Sequence, residues 1–94
     1  MPIRRRDDGS WLIDGLFEIE KLAAHLEGFT TPAGAGEEYQ TIAGWFSMRL
    51  SRVPTEGDIM TDGGWTFEIM DMDGIRVDKV LAHWKAPDAV ADPS

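Results

Sequence analysis

The hydrophobic pattern in the first third of the chain predicts one short strand and one helix. Residues 11–13 form an apolar run between two turn sequences, as expected of a strand. After residue 15 the apolar period lengthens to that of an amphipathic helix, with a stripe formed by Ile19, Leu22, Ala23 and Leu26. Gly28 follows this stripe and can adopt the left-handed conformation that ends a helix. We therefore expect a first helix over residues 16–26.

A second helix is predicted over residues 41–50, after a loop at residues 30–38 that is rich in glycine and small residues. Thr41 is a suitable N-cap, because its hydroxyl can accept a hydrogen bond from the first turn of the helix. Apolar residues then recur at helical spacing up to Leu50, and Pro54 prevents the helix from continuing.

From residue 58 onward the apolar period is two, which indicates antiparallel strands with one buried face. In residues 65–69 the three apolar side chains alternate with polar ones and are predicted to point into the core. Asp73-Gly74 is a typical hairpin turn, because both central residues of that turn need positive φ. On the returning strand the apolar phase slips by one residue, which predicts a β-bulge near Asp78 and Lys79.

This order of elements predicts an α+β fold in which two helices pack on a small antiparallel sheet. The 94 residues suffice for one such domain. We expect the domain to span residues 8–85, preceded by an N-terminal arm or linker at residues 1–7. Residues 86–94, rich in proline, alanine and aspartate, are expected to form a disordered tail.

The charge of the chain argues against several classes of partner. Seventeen acidic and nine basic residues give a formal net charge of −8, which repels nucleic acid and anionic lipid. No apolar stretch approaches the roughly 18 residues that a membrane-spanning helix needs, so we expect no direct membrane insertion. The chain has no cysteine, and therefore no disulfide and no thiolate metal site.

Five aspartates in the second half of the chain are candidate ligands for a divalent cation. Strand ends and turns carry them, so they could gather at one end of the sheet and hold a weakly bound, hydrated ion. The candidates are Asp58, Asp62, Asp71, Asp73 and Asp78. Asp71-Met72-Asp73-Gly74 resembles the start of a calcium loop, but Ile75 follows and the turn-forming function of Asp73-Gly74 explains the same residues.

The sequence matches no catalytic template. The histidines at 25 and 83 lack metal-binding spacing, and no serine lies in a nucleophile elbow. No glycine-rich phosphate loop lies between a strand and a helix. We therefore expect no enzymatic activity. Exposed tryptophans are the candidates for an interface, with Trp45 and Trp84 as the predicted contact residues of a homodimer or of a partner protein.

Four ordered motifs resemble one known family, the CorC/HlyC transporter-associated domain. They are DGSWLIDG at residues 8–15, EYQTIAG at residues 38–44, RVPTEGD at residues 52–58 and FEIMDMDG at residues 67–74. The resemblance covers residues 8–82. Ser51, where the family usually has glycine, departs from the pattern, as does the loop of small residues at 32–36.

The resemblance implies a regulatory or interaction domain on the cytoplasmic face of the inner membrane. Such domains follow a membrane domain and a pair of CBS domains in magnesium/cobalt efflux and hemolysin-like proteins, and are thought to modulate ion transport. The family's fold is grouped with FAD-binding domains. A ligand-binding module for a divalent cation, or for a flavin or adenine nucleotide, is therefore the alternative function.

Overall fold

A computed structural model describes residues 1–84 as one five-stranded antiparallel sheet with two short helical segments. The spatial order of the strands is β1-β2-β5-β4-β3. The strands are β1 (Ile3–Arg5), β2 (Trp11–Asp14), β3 (Ile59–Asp62), β4 (Trp65–Asp73) and β5 (Arg76–Trp84). A 3₁₀-helix, Ile19–Ala24, and helix α1, Ile42–Leu50, lie between β2 and β3 in the chain. The α+β class and the antiparallel sheet were predicted correctly.

Helix α1 begins where the sequence predicts it. The hydroxyl of Thr41 accepts a 3.1 Å hydrogen bond from the backbone N–H of Gly44. Ser51 ends the helix in the left-handed conformation, with φ of 56°. Glycine is the usual residue at such a position, because it has no Cβ to oppose positive φ.

The first helical segment is a 3₁₀-helix of six residues, so the prediction of two α-helices was wrong. The N–H groups of Lys21 and His25 donate to the carbonyls of Glu18 and Leu22, three residues earlier. Ile19 and Leu22 are buried, and their spacing of three places them on one face of a 3₁₀-helix. The helical segment, Ile19–Ala24, is therefore shorter at both ends than the predicted helix over residues 16–26.

The N-terminal arm was also predicted incorrectly in part, because residues 3–5 form strand β1. This strand pairs antiparallel with β2, and Ile3 lies opposite Ile13 in the register. The side chain of Ile3 is only 8% exposed. Burial of this side chain and the backbone hydrogen bonds to β2 hold a segment whose charged sequence, Arg4-Arg5-Arg6, suggested a free arm.

The predicted bulge is present where β4 and β5 pair. Ile69 pairs with Val80, but the next pairs are Asp71 with Lys79 and Met72 with Val77. Asp78 is therefore an extra residue on β5, as predicted, and Met70 is a second extra residue on β4 that the sequence pattern did not indicate. Bulges increase the local twist and re-aim side chains at the end of a ladder.

The core lies between one face of the sheet and the helical segments. Phe29, Trp45 and Phe67 pack edge to face, with ring centroids 5.2 to 5.8 Å apart. Such contacts are favourable beyond the area that they bury. Among residues 1–84, no helix has both the length and the apolar run required to cross a bilayer. The predicted tail at residues 86–94 lies outside the described residues.

Candidate functional site

A groove of about 820 Å³ opens where the segment after the 3₁₀-helix meets the sheet. Its size falls in the range of small-ligand sites, roughly 300–1,000 Å³. Aromatic rings and a few charged groups line it: Arg5, Gly9, Trp11, His25, Glu27, Gly28, Trp65 and Trp84. We call this feature the aromatic groove.

The register of the sheet explains why side chains from four strands meet in the aromatic groove. Arg5 lies opposite Trp11, which lies opposite Ala82, and Trp65 lies opposite Trp84. Ala82 and Trp84 are two residues apart on β5, so their side chains share a face of the sheet. Ala82 itself is buried in the core, and the larger side chains on either side of it line the groove.

A hydrogen bond fixes the opposite wall of the aromatic groove to the sheet. The indole N–H of Trp65 donates to the backbone carbonyl of Glu27 over 2.9 Å. The Trp65 ring is buried, and it packs edge to face on the ring of Trp84 with centroids 5.7 Å apart. The segment around Glu27 is thus held beside the two rings, and Glu27 itself is an exposed residue that lines the groove.

Glycine at position 64 makes room for the outer ring of the aromatic groove. Gly64 has φ of +90°, and a Cβ there would lie 2.6 Å from two ring atoms of Trp84. Real Cβ contacts are not that short, so the Trp84 ring can occupy its place only over a glycine. Gly28 faces the same ring from the other wall, where a Cβ would be in ordinary contact at 3.8 Å.

His25 completes the groove at the side of Trp11. Its ring packs edge to face against Trp11 and Phe17, with centroid distances of 5.6 and 5.7 Å. His25 is the residue that caps the C-terminus of the 3₁₀-helix. Its ring therefore helps to hold Trp11 in the groove wall.

The two tryptophans predicted as interface residues have different environments. Trp84 is 47% exposed and lines the aromatic groove, as an interface residue could. Trp45 is 1% exposed and packs in the core, so its prediction as an exposed contact residue was wrong. Helical spacing alone shows that Trp45 shares a face with Ile42, but not that the sheet covers that face.

The five aspartates predicted as metal ligands do not gather at one site. Within residues 1–84, no group of three or more acidic or histidine side chains has an arrangement that could hold a metal ion. Four of the five form ion pairs instead: Asp58 with Arg52, Asp62 with Arg49, Asp73 with Arg76 and Asp78 with Lys79. These ion pairs involve four different basic residues.

Asp58 has the best-defined of these ion pairs. Its two carboxylate oxygens accept hydrogen bonds of 2.9 and 3.0 Å from the guanidinium of Arg52. The backbone N–H of Thr55 donates to it as well, over 2.8 Å. The hydrogen bonds from Arg52, and next the one from Thr55, lower the pKa of Asp58 to about 2. This carboxylate therefore fastens the turn before β3.

Asp71 and Asp78 are the two aspartates that the structure brings together. The hydrogen bond between their carboxyl groups raises the pKa of Asp71 above its usual range, because the bond needs a proton on one of the two. Lys79 lies beside them, 3.3 Å from Asp78 and 3.2 Å from Asp14. The double bulge places Asp71 and Asp78 next to each other, so two of the five predicted aspartates do meet at this end of the sheet.

The start of helix α1 does not fit the phosphates of a flavin or an adenine nucleotide. Phosphate groups bind at helix N-termini because free N–H groups point at them. Here the N–H groups of Ile42, Ala43 and Gly44 already donate to the carbonyls of residues 17 and 15 and to the Thr41 hydroxyl. A dinucleotide cofactor therefore finds no phosphate site at this helix.

Among the residues of the aromatic groove, Trp84 alone was predicted from the sequence as a contact residue. Trp65 was predicted to point into the core, and Arg5 was placed in an arm outside the domain. The available signal was compositional: the chain has four tryptophans. Which of them meet at the surface depends on the pairing of β1, β2, β4 and β5.

The antiparallel sheet, the two short helical segments and the groove at their junction define a small α+β domain. The chain belongs to the CorC_HlyC family: the family model, described as a transporter associated domain, matches residues 4–86. This family is one of transporter-associated rather than catalytic domains, and the resemblance carried by the four sequence motifs is confirmed.

Relatives of known name are larger proteins. The chain is 36% identical over 81 residues to the UPF0053 protein sll0260 of Synechocystis sp.. This match covers 86% of the chain but only 18% of that protein. The chain is 34% identical over 76 residues to the polyamine export protein of Escherichia coli, covering 81% of this chain and 17% of that protein. The chain thus spans less than a fifth of these relatives.

A solved structure matches the whole domain. It is the transporter associated domain of a Xylella fastidiosa hemolysin in complex with Mg²⁺ and Mn²⁺, with a TM-score of 0.78 and 37% identity. The match covers 92% of this chain and 100% of that one.

Proposed function

We propose that this chain is the regulatory domain of a membrane exporter of cations, on the cytoplasmic side of the membrane, and that the exported cation is a polyamine. In this role the domain does no chemistry. It binds a ligand or a neighbouring domain, for example a CBS pair, and changes the rate of export. The observation that carries the proposal is the aromatic groove in a chain of net charge −8.

The chemistry of the aromatic groove supports regulation through binding. Its rings come from strands that are paired in one sheet, and the hydrogen bond from Trp65 to Glu27 fixes the opposite wall. A groove built on rigid elements keeps its shape when empty, so little conformational entropy is lost when a ligand or partner segment enters. Of the four tryptophans, Trp84 is the one whose side chain is most exposed to solvent.

The relatives support an exporter and suggest its cargo. The Escherichia coli relative is a polyamine export protein, and its matched segment is less than a fifth of that protein. A domain of this size, with no catalytic cluster among the residues described, suits a regulatory part of such a protein better than the part that moves the cargo. Magnesium or cobalt export is the corresponding proposal if the cargo is a metal ion.

A chimaera tests this proposal. The segment of the Escherichia coli polyamine export protein that matches this chain would be deleted in one variant and replaced by this chain in another. Putrescine efflux from preloaded cells is the measurement. We expect the deletion to change the efflux rate and the chimaera to restore it. A control chimaera carries Phe67→Ala, which should unfold the domain and behave like the deletion.

The proposal of a regulatory domain is wrong if the deletion, the chimaera and the control all export putrescine at the rate of the intact protein. It is also wrong if the Phe67→Ala chimaera restores efflux as well as the folded chimaera, since the folded domain would then have no effect.

A divalent-cation site is the second candidate function, and the Xylella fastidiosa domain with bound Mg²⁺ and Mn²⁺ favours it. In this chain the site would be built on Asp71 and Asp78, the two carboxylates of the predicted five that lie together. A dication between them would relieve the repulsion between the two carboxylates.

Calorimetric titration with Mg²⁺, Mn²⁺ and Co²⁺ tests the second candidate. Asp71→Asn should abolish the heat of binding, whereas Asp73→Asn, which changes the net charge equally at the hairpin turn, should leave it unchanged. Equal effects of both substitutions, or no heat at about 5 mM cation, would exclude a specific site, because even the weak calcium sites of extracellular modules bind in the range of roughly 10⁻⁴ to 10⁻³ M.

A further inference from the structure

Three features of the aromatic groove favour a ligand that is both organic and cationic. Its walls are indole rings, whose faces carry partial negative charge and attract ammonium groups. One acidic residue, Glu27, lines the groove. The chain around it has a net charge of −8, which raises the local concentration of cations.

We propose that the aromatic groove binds an alkyl polyamine, with ammonium groups against the faces of Trp84 and Trp11 and near the carboxylate of Glu27. This inference rests on the proposed function, because it makes the groove the place where the domain senses the cargo of the exporter. The methylene segments of a polyamine lie on apolar ring surface while its ammonium groups alternate between rings, carboxylate and water.

The groove distinguishes such a ligand from a metal ion of the same charge. Magnesium and calcium take oxygen ligands and keep their water when few are offered. Among the residues that line the groove, Glu27 alone has a carboxylate, and indole rings offer no oxygen. An alkylammonium group loses water more easily and gains from the ring faces, so putrescine should bind here while Mg²⁺ at equal charge should not.

The effect of Arg5 on binding distinguishes a cationic ligand from an anionic one. Arg5 is the one arginine or lysine that lines the groove, on β1 opposite Trp11. If the ligand is a cation, Arg5 opposes its binding and limits the affinity, and removal of the charge should strengthen binding. If the ligand were an anion with a planar ring, such as an adenine nucleotide, Arg5 would be its main charged contact and its removal would weaken binding.

The indole N–H signals of the four tryptophans in a ¹H–¹⁵N spectrum give a direct readout with an internal control. During titration of the chain with putrescine, the signals of Trp11, Trp65 and Trp84 should shift. The signal of Trp45 should stay in place, because this ring lies in the core outside the groove. Mg²⁺ at the same concentration and ionic strength should leave all four signals in place.

Matched variants then test the individual contacts. Trp84→Ala should weaken putrescine binding about 3- to 10-fold, the loss of one cation–π contact. Glu27→Gln should weaken it about 3- to 5-fold, and Asp73→Asn, the same charge change at the distant hairpin turn, by less than about 2-fold. Arg5→Gln should strengthen it about 2- to 5-fold. Thermal unfolding of each variant verifies that it is folded.

Several results would overturn the inference. One is the absence of any shift at about 10 mM putrescine, a concentration that fills sites of millimolar affinity. Equal effects of Glu27→Gln and Asp73→Asn would mean diffuse attraction to the acidic surface. Weaker binding after Arg5→Gln, together with shifts on addition of adenosine monophosphate, would assign the groove to an anion.

The same variants separate this inference from the proposed function. If the chimaera restores putrescine efflux and Trp84→Ala and Glu27→Gln leave that restoration unchanged, the domain regulates export but does not sense polyamine in this groove. If the chain binds putrescine and the chimaera has no effect on efflux, the groove assignment stands and the regulatory role fails.

Discussion

The indole N–H of Trp65 and the backbone carbonyl of Glu27 are joined by a 2.9 Å hydrogen bond that spans 38 positions of the chain. This bond links strand β4 to the segment that follows the 3₁₀-helix. It is the contact that fixes the two walls of the aromatic groove relative to each other, because the carbonyl belongs to one wall and the ring to the other.

Substitution Trp65→Phe should open the aromatic groove without unfolding the domain. The phenyl ring retains most of the buried surface but has no N–H group, so the cost is one hydrogen bond, about 1 kcal/mol in the free energy of unfolding. Urea denaturation measures it, and amide exchange at Gly28 should accelerate. Trp84→Phe, the same change at the exposed ring, should leave exchange at Gly28 slow; if both variants accelerate it equally, the bond does not hold this wall.

Substitution Gly64→Ala should destabilise the domain more than Gly63→Ala, although both glycines have positive φ and belong to one turn. At Gly63 nothing lies within 4 Å of an added Cβ, so the cost is backbone strain alone, about 1–2 kcal/mol. At Gly64 the Cβ would also meet the Trp84 ring at 2.6 Å. We expect a total on the order of 3 kcal/mol from urea denaturation.

A double variant isolates the steric part of that cost. When Trp84→Ala is added to Gly64→Ala, the ring that opposes the Cβ is removed, and the excess over Gly63→Ala should disappear. A Gly64→Ala variant that is equally unstable with and without Trp84 would show that backbone strain, not the ring, requires glycine at this position.

The two tryptophans that the sequence treats alike should respond oppositely to truncation. Trp45→Ala creates a cavity between Phe29 and Phe67 and should lower the free energy of unfolding by about 3–5 kcal/mol. Trp84→Ala removes a half-exposed ring and should cost less than about 1 kcal/mol. Thermal unfolding followed by circular dichroism compares them, and similar losses for the two would contradict the placement of Trp45 in the core.

The free energy of unfolding should fall as the pH drops from 3.8 to about 2, because Asp58 becomes protonated over this range. Its pKa is about 2 in the folded chain and 3.8 in its ordinary, unpaired state. A lowered pKa means that the ionised group stabilises the fold above pH 3.8, and that this stabilisation is lost as the pH falls to about 2. In urea denaturation, Asp58→Asn should therefore differ from the unsubstituted chain at about pH 5 and converge with it near pH 2.

Arg52→Gln provides the control for that pH range. The hydrogen bonds from Arg52 are the largest cause of the lowered pKa of Asp58, and the backbone N–H of Thr55 is the next. In Arg52→Gln the pKa of Asp58 should therefore stay below 3.8 but lie closer to it, so the pH range over which stability is lost becomes narrower. If Arg52→Gln loses stability over the same pH range as the unsubstituted chain, the turn itself, and not the ion pair, lowers the pKa of Asp58.

The sequence by itself determined the parts of the fold that depend on local chemistry. The alternation in residues 65–69 depends only on the pleat of a strand, and the capping of α1 by Thr41 depends only on three neighbouring residues. The bulge at Asp78 was predictable for the same reason. The hairpin was predicted in the right place, but its turn was not: Asp73 pairs with Arg76, so the two turn residues are Gly74 and Ile75, and of these Gly74 alone has positive φ. Turn and core motifs of this kind also carried the family resemblance.

Tertiary structure decided every feature in which distant segments meet. Ile3–Arg5 becomes a strand only because β2 offers its hydrogen bonds and Ile13 offers a buried neighbour. Trp45 is buried because the sheet covers its face of α1. The aromatic groove needs four strands in register and a carbonyl 38 positions from its donor. Periodicity reports which residues share a face, whereas pairing between segments determines what that face contacts.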